Sequence, residues 1–282
     1  MNNLQLERGM DLYIDLMEKA LTASIYDESA WSLMQRRKRN SPKKPLLFAW
    51  DVMRDCIFEA FSRRSILLVR YKPFRKELSE LGKLFPLFGY TAIGHLRLNN
   101  VRLCVEDVLR NGVPGDFIET GAWRGGTVIF MRALLKAYGI SDRKVWVADS
   151  FEGLPVPKSD DDGLDLSNER YWKVTLETVK SNFQKFDLLD GQVEFLKGWF
   201  CDTLPKAPIE KLAILRLDGD LYHSTMDSLN NLYHKVSKGG YVIVDDYYTW
   251  ESCRRAVSDF RAKYSIQQEI KTIDKDGVYW QV

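Results

Sequence analysis

From residue 116 onward the chain repeats one rhythm: a short apolar run, a turn, then a stretch with helical spacing. The runs are DFIET (116–120), KVWVADS (144–150), VEFLKG (193–198), LAILRLD (212–218) and YVIVDD (241–246). Strands that read as continuous apolar runs and alternate with helices are covered on both faces, as in a parallel sheet between two helical layers. The intervening helices fall near 125–139, 168–186, 224–236 and 252–264. The ending departs from this rhythm, because IQQEIKTI, the turn DKDG and VYWQV read as a hairpin, so the last strand runs antiparallel to its neighbour. The expected fold is α/β: a Rossmann-like, mainly parallel seven-stranded sheet with an antiparallel last strand, occupying residues 111–282.

Residues 1–110 carry helical spacing instead, in DLYIDLMEKAL (11–21), in DVMRDCIFEAFSRRSILLVR (51–70) and in LNNVRLCVEDVLRNG (98–112). The last of these closes on Asn111 and Gly112, a C-terminal stop signal, and no alternating strand pattern is visible before it. A helical extension over 1–110 is therefore expected. Its basic stretch QRRKRNSPKKP (35–45) holds six Lys or Arg but no interleaved aromatic residue, and it reads as a solvated loop. A formal charge of +2 leaves no field toward nucleic acid or an anionic membrane, so neither is expected as a partner. The four cysteines are far apart and read as reduced thiols. The opening MNNLQLERGMDLY lacks the apolar core of a signal peptide, and the expected location is cytoplasmic.

In open α/β sheets ligands bind beyond the carboxyl ends of the strands, which directs attention to the strand tips. The first tip reads ETGAWRGG, with Glu119, Thr120 and Gly121, then Gly125 and Gly126 opening a helix. The spacing differs from G-x-G-x-x-G, and an acid before the first glycine suits an amine better than a phosphate. The second tip carries Asp149 and Ser150, with Asp149 thirty positions after Glu119, where a carboxylate can accept both hydroxyls of a ribose. Glycine after a strand is also ordinary turn chemistry, and Asp149 alone would serve equally as a helix cap. Together the two tips suit S-adenosylmethionine.

The strands ending in Asp218 and Asp245 are consecutive, and if they are neighbours their tips lie about 5 Å apart. Oxygen ligands without His or Cys select a hard cation, Mg²⁺ foremost, with Mn²⁺ as a substitute. Asp218, Asp245 and Asp246 are the expected ligands and Asp220 the expected general base, for methyl transfer to an oxygen. The competing assignment makes Asp220 a helix cap and Asp246 a solvated turn residue. His223 is a rival base, since unperturbed imidazoles titrate near neutrality.

The stretches GYTAIGHLRLNN (89–100), GVPGDFIETGAWRGG (112–126), VWVADSFEGLP (145–155), FLKGWFCDTLP (195–205), LRLDGDLYHSTMDSL (215–229) and GGYVIVDDY (239–247) together resemble the macrocin O-methyltransferase family. The resemblance covers nearly the whole chain from residue 11. It implies a class I methyltransferase fold and methylation of a sugar hydroxyl on a secondary metabolite, using S-adenosylmethionine and Mg²⁺. It also implies Asp218, Asp245 and Asp246 as metal ligands, with Asp218 near the cofactor too, and Asp220 as base. By the same likeness Asp202 lies near the cofactor, YTAIGHLRLNN forms part of a lid, and a homodimer assembles through the helical half. Two departures bear on the acceptor: Ala92 stands where relatives usually have Met, and His223 where they usually have Glu.

Alternatives remain open on the residues alone. A D-x-D glycosyltransferase accounts for Asp218 and Asp220 but leaves Glu119, the glycine loop and Asp149 idle. A binding scaffold would make the acids helix caps. A catechol or other phenol could replace the glycosylated small molecule as acceptor, in a pocket shaped by the acidic loop at 155–172.

Overall fold

The computed structural model describes residues 3–26, 31–33, 45–64, 66, 69–71, 77, 80–82, 88–159, 161 and 165–282. Its first part comprises helix α1 (Asn3–Leu21), strand β1 (Trp31–Leu33), helix α2 (Pro45–Ser62), strand β2 (Val69–Tyr71) and helix α3 (His95–Arg110). β1 and β2 pair antiparallel as a sheet of their own. This corrects the wholly helical reading of residues 1–110: α2 stops at Ser62, and the β-favouring Val69 and Tyr71 beyond it join β1. Apart from Pro45, the basic stretch 35–45 lies outside the described residues. α3 ends at its stop signal. Gly112 turns left-handed at φ 62°, and the N–H of Val113 reaches back to the Val108 carbonyl at 2.9 Å.

The second part runs β3 (Asp116–Thr120), α4 (Gly126–Ala137), β4 (Val145–Asp149), α5 (Leu176–Lys185), β5 (Val193–Lys197), a single helical turn α6 (Phe200–Thr203), β6 (Leu212–Leu217), α7 (Tyr222–Leu232), β7 (Val236–Val244), α8 (Glu251–Lys263), β8 (Lys271–Thr272) and β9 (Val278–Gln281). The seven strands lie in the order β5-β4-β3-β6-β7-β9-β8. The first five are parallel, and β9 runs against both of its neighbours. α5 begins at Leu176 and not near 168, because the Thr175 hydroxyl caps it by accepting the Thr178 N–H at 3.2 Å.

The two-residue period of the strands sends alternate side chains to two cores. Val145 and Val147 pack with Leu98, Phe130 and Phe183 on one face. Trp146 and Ala148 pack with Leu229, Phe260 and Trp280 on the other. The chain steps outward from β3 to β5 and then returns to lay β6 on the far side of β3. That reversal opens a crevice at the carboxyl ends of β3 and β6.

Candidate active site

The chain turns sharply where β3 ends. Gly121 adopts φ 96°, and a Cβ there would run into the Asp218 carbonyl of the neighbouring strand tip, so only glycine fits. The residues after it wrap around Asp149. Its Oδ2 accepts the N–H groups of Ala122 (2.7 Å) and Trp123 (3.2 Å), and its Oδ1 accepts that of Phe151 (2.7 Å). Burial pushes the Asp149 carboxyl up, and these donors pull it back. Trp123 (φ 47°) and Phe151 (φ 57°) both hold left-handed backbone, strain that sits at the loop where a ligand would approach. From the other side Gly126 donates its N–H to the Tyr90 carbonyl at 2.9 Å, which lays residues 90–94 along the same loop.

β6 and β7 are neighbours, as the acid pairs require. Between the acids stands Arg216, which is fully buried in β6. Its guanidinium pairs with Glu119 Oε1, with Asp218 Oδ2 at 2.7 Å and with Asp245 Oδ1. A second guanidinium, Arg97 from the first turn of α3, takes the remaining Asp245 oxygen, Oδ2. Arg216→Met would leave Glu119, Asp218 and Asp245 without this countercharge in a low-dielectric interior. We expect about 3–5 kcal/mol of lost stability in a urea unfolding curve; a loss under about 1 kcal/mol would mean the cluster re-pairs without it.

Asp245 and Asp246 leave the end of β7 in opposite directions, as consecutive residues of an extended chain do. Asp245 turns to the arginines, whereas Asp246 meets Asp218 and Asp220: one oxygen from each of these three lies within 4.8 Å of the other two. Asp220, at φ 57°, is held by the Trp250 indole N–H on its Oδ1 at 3.0 Å. Burial, then the charge of Asp218, pushes the Asp220 carboxyl up to about 7. Burial, then Asp220, likewise raises Asp246 well above the usual carboxylate range. Burial and the neighbouring carboxylates thus disfavour charge on both acids, a penalty that a bound cation would relieve. These residues, Glu119, Asp149 and His223 line one cavity of about 580 Å³.

The expected residues therefore divide. Glu119, Gly121, Asp149, Ser150, Asp218, Asp220, Asp245 and Asp246 all reach the cavity wall. Asp245 is turned into the arginine pair, and Asp220 stands among the carboxylates in its place. Thr120 points away from the cavity into the sheet–helix interface, where the Ser228 hydroxyl donates to it at 3.1 Å. Asp202 is exposed on α6, while Trp199, Phe200 and Cys201 line the wall beside it. Arg97, Arg216 and Trp250 were missed. The available signal was a lone basic residue inside an otherwise apolar strand, LAILRLD.

A family model described as Macrocin-O-methyltransferase (TylF) matches residues 10–282. Demethyldecarbamoylnovobiocin O-methyltransferase of Streptomyces niveus is 46% identical over 275 residues, which is 96% of this chain and 93% of that protein. Mycinamicin III 3''-O-methyltransferase of Micromonospora griseorubida is 49% identical over 220 residues, covering 76% of this chain and 86% of the relative. The solved structure of the O-methyltransferase NovP superposes with a TM-score of 0.80 at 44% identity, over 96% of this chain and 98% of NovP. The class I methyltransferase sheet, the matched span and these identities together make the chain a member of the macrocin O-methyltransferase family, and an O-methyltransferase.

Proposed function

We propose that this enzyme methylates a hydroxyl of a sugar carried by a small molecule, with S-adenosylmethionine as donor and a divalent cation, Mg²⁺ or Mn²⁺, held by Asp218, Asp220 and Asp246. The carrying observation is that these three carboxylates converge on the same cavity that Glu119 enters. Glu119 is 1% exposed; Arg216 pairs with its Oε1, the Thr127 side chain bears on the same carboxylate, and its Oε2 makes no regular hydrogen bond among the described residues. A buried carboxylate oxygen of this kind calls for a donor, and an ammonium group fits it. Asp149 accepts Ala122 and Trp123 on Oδ2 and Phe151 and the Ser150 hydroxyl on Oδ1, so a ribose hydroxyl would bind it by displacing the long Ser150 contact at 3.4 Å. Among the described residues, nine Asp or Glu side chains line the cavity against Arg97 and Lys158, a surplus that favours cationic guests even with Glu119, Asp220 and Asp246 pushed up by burial.

When bound, the cofactor supplies a methyl group on a sulfonium, and the cation supplies charge that favours an ionised acceptor oxygen. The protein's own part is to align and to move a proton. With Asp220 among the carboxylates, His223 of the first turn of α7 is the residue on the cavity wall that takes the acceptor's proton. The sugar acceptor is drawn from the relatives, which include O-methyltransferases of novobiocin- and mycinamicin-type compounds. A methyl-transfer assay on a panel of deoxysugar glycosides, with and without chelator, tests the reading. Methylated glycoside formed only in the untreated reaction is the expected result. Full rate in chelator removes the cation, and transfer to catechols alone removes the sugar.

A pH dependence of metal binding follows. The Asp220 carboxyl, pushed up to about 7, carries a proton below that pH and must lose it when a cation binds. Mn²⁺ affinity should therefore fall as pH drops from 8 to 6, by up to about tenfold for the last unit. Calorimetry in buffers of different ionisation enthalpy should show a proton released at the lower pH. An affinity flat across this range would mean that Asp220 is no ligand.

A further inference from the structure

We propose that Trp123 is a positioning residue for the acceptor: its indole N–H holds the Arg170–Trp172 turn so that Trp172 stands on the cavity wall in fixed relation to Asp149. This inference rests on the donor and acceptor reading above and adds to it the group that sets one wall of the acceptor's space.

Trp123 is engaged at both of its ends. Its backbone N–H is one of the donors on Asp149 Oδ2, at 3.2 Å, and its indole Nε1 donates to the Tyr171 carbonyl at 2.9 Å. The ring centroid lies 5.1 Å from that of Tyr171 and 5.9 Å from that of Trp172. The backbone that aims the side chain this way is left-handed at φ 47°, uncommon for so bulky a residue. Arg124 adds to the stack, with its guanidinium carbon 4.2 Å from the Trp123 ring centroid, and its Nη1 donates to the Gly89 carbonyl at 2.7 Å. The Arg124 carbonyl in turn accepts Asn182 Nδ2 of α5 at 3.0 Å, so the base of the stack is fixed to a helix.

The turn that Trp123 holds ends the acidic loop at 155–172, and the loop's other fixed points also belong to the cavity. Before it, Gly153 passes so close to Lys173 that a Cβ there would lie 2.9 Å from Lys173 Cγ, so the two ends of the loop meet beside Asp149. Between them Asp161 Oδ1 accepts the Tyr222 N–H of α7 at 2.8 Å, one residue before His223. The loop thus reaches from the ribose side of the cavity to the side of the acids. It lines the space with Val156, Leu166 and Trp172, apolar surface on which a sugar and the body that carries it can pack. A tryptophan that only filled space would not need its N–H, whereas an indole bonded to a backbone carbonyl fixes the direction of the turn as well as its distance. Displacing that wall should misplace the acceptor while leaving the donor where it is.

The test is Trp123→Phe in the full-length protein, which keeps an aromatic ring for Arg124 and deletes the donor to Tyr171. With S-adenosylhomocysteine at saturation, the amides of Trp172 and Lys173, bonded to the Glu169 and Arg170 carbonyls at 3.2 Å each, should exchange with solvent at least about tenfold faster in the variant, and the Val179 amide of α5 as before. With a glycoside that the unaltered enzyme methylates, KM for the glycoside should rise about tenfold, while kcat and S-adenosylhomocysteine affinity stay within about threefold. Trp172→Ala should raise the same KM, and the double variant should lose no more than about threefold beyond the larger single loss, because Trp123 acts through Trp172. Unchanged exchange at the turn, a loss confined to S-adenosylhomocysteine affinity, or additive losses in the double variant overturns the inference and leaves the methyl-transfer reading intact. A protein that methylates no glycoside refutes the sugar reading, and the exchange rates then decide the inference by themselves. Should Trp123→Phe fail to fold, Trp172→Ala decides: a raised glycoside KM at unchanged S-adenosylhomocysteine affinity supports the proposal, and an unmoved KM refutes it.

Discussion

Asp220→Asn is expected to weaken Mn²⁺ binding by at least about 100-fold and turnover by about 10³-fold, while S-adenosylhomocysteine affinity stays within about threefold. The substitution is mild everywhere except in charge. Asn accepts the left-handed backbone that Asp220 adopts at φ 57°, and its carbonyl can still accept the Trp250 indole N–H. What disappears is one of three negative oxygens grouped within 4.8 Å. Charge stabilisation by a bound cation is worth several kcal/mol at a transition state, and about 4 kcal/mol corresponds to the stated loss. Calorimetry with Mn²⁺ and a single-turnover assay check the two numbers. A variant that binds Mn²⁺ normally yet does not turn over would return Asp220 to the role of base that the sequence alone suggested. The two assignments thus differ in a measurable way, although both have the variant inactive.

That ambiguity shows what sequence could carry here. The sheet was legible because a strand buried on both faces must read as an apolar run, as β4, β6 and the second half of β7 do. The adjacency of β6 and β7 is only a condition on the sequence, since β5 and β6 are equally consecutive and lie apart; the strand order meets that condition and brings the acids together. Asp245 and Asp246 look alike on paper. Which of them meets Asp218 and Asp220 and which pairs with the arginines is set by pleat direction and by an arginine 148 positions away, and no local pattern encodes that pairing. Thr120 turns its side chain away from the cavity for a simpler reason: it shares a face with Ile118, two residues earlier, and so packs on α7. The exposed Asp202 came from resemblance alone and has no cavity contact. β1 and β2, three residues each, are too short to show any alternation.

His223→Ala is expected to lower kcat by about 10²–10⁴-fold while Mn²⁺ and S-adenosylhomocysteine bind as before, the range that a general base contributes. The argument is positional. Asp220 turns the chain left-handed, and α7 starts two residues later, so His223 enters the cavity one helical turn before Asp227, which lines the same wall. Burial raises the Asp227 carboxyl, and the charge of Lys158 and then that of His223 pull it back, so the pair at i and i+4 attract each other. A carboxylate behind an imidazole favours the protonated ring that forms when a hydroxyl gives up its proton. Asp227→Asn should therefore cost about tenfold in kcat, well below the loss from His223→Ala, and removing both should cost little more than removing the histidine. The small-side-chain variant leaves room beside Asp220, and added imidazole should restore part of its rate. Near-normal turnover in His223→Ala would assign the proton to another group on that wall. Additive losses in the double variant would mean that Asp227 acts on its own and not through the ring.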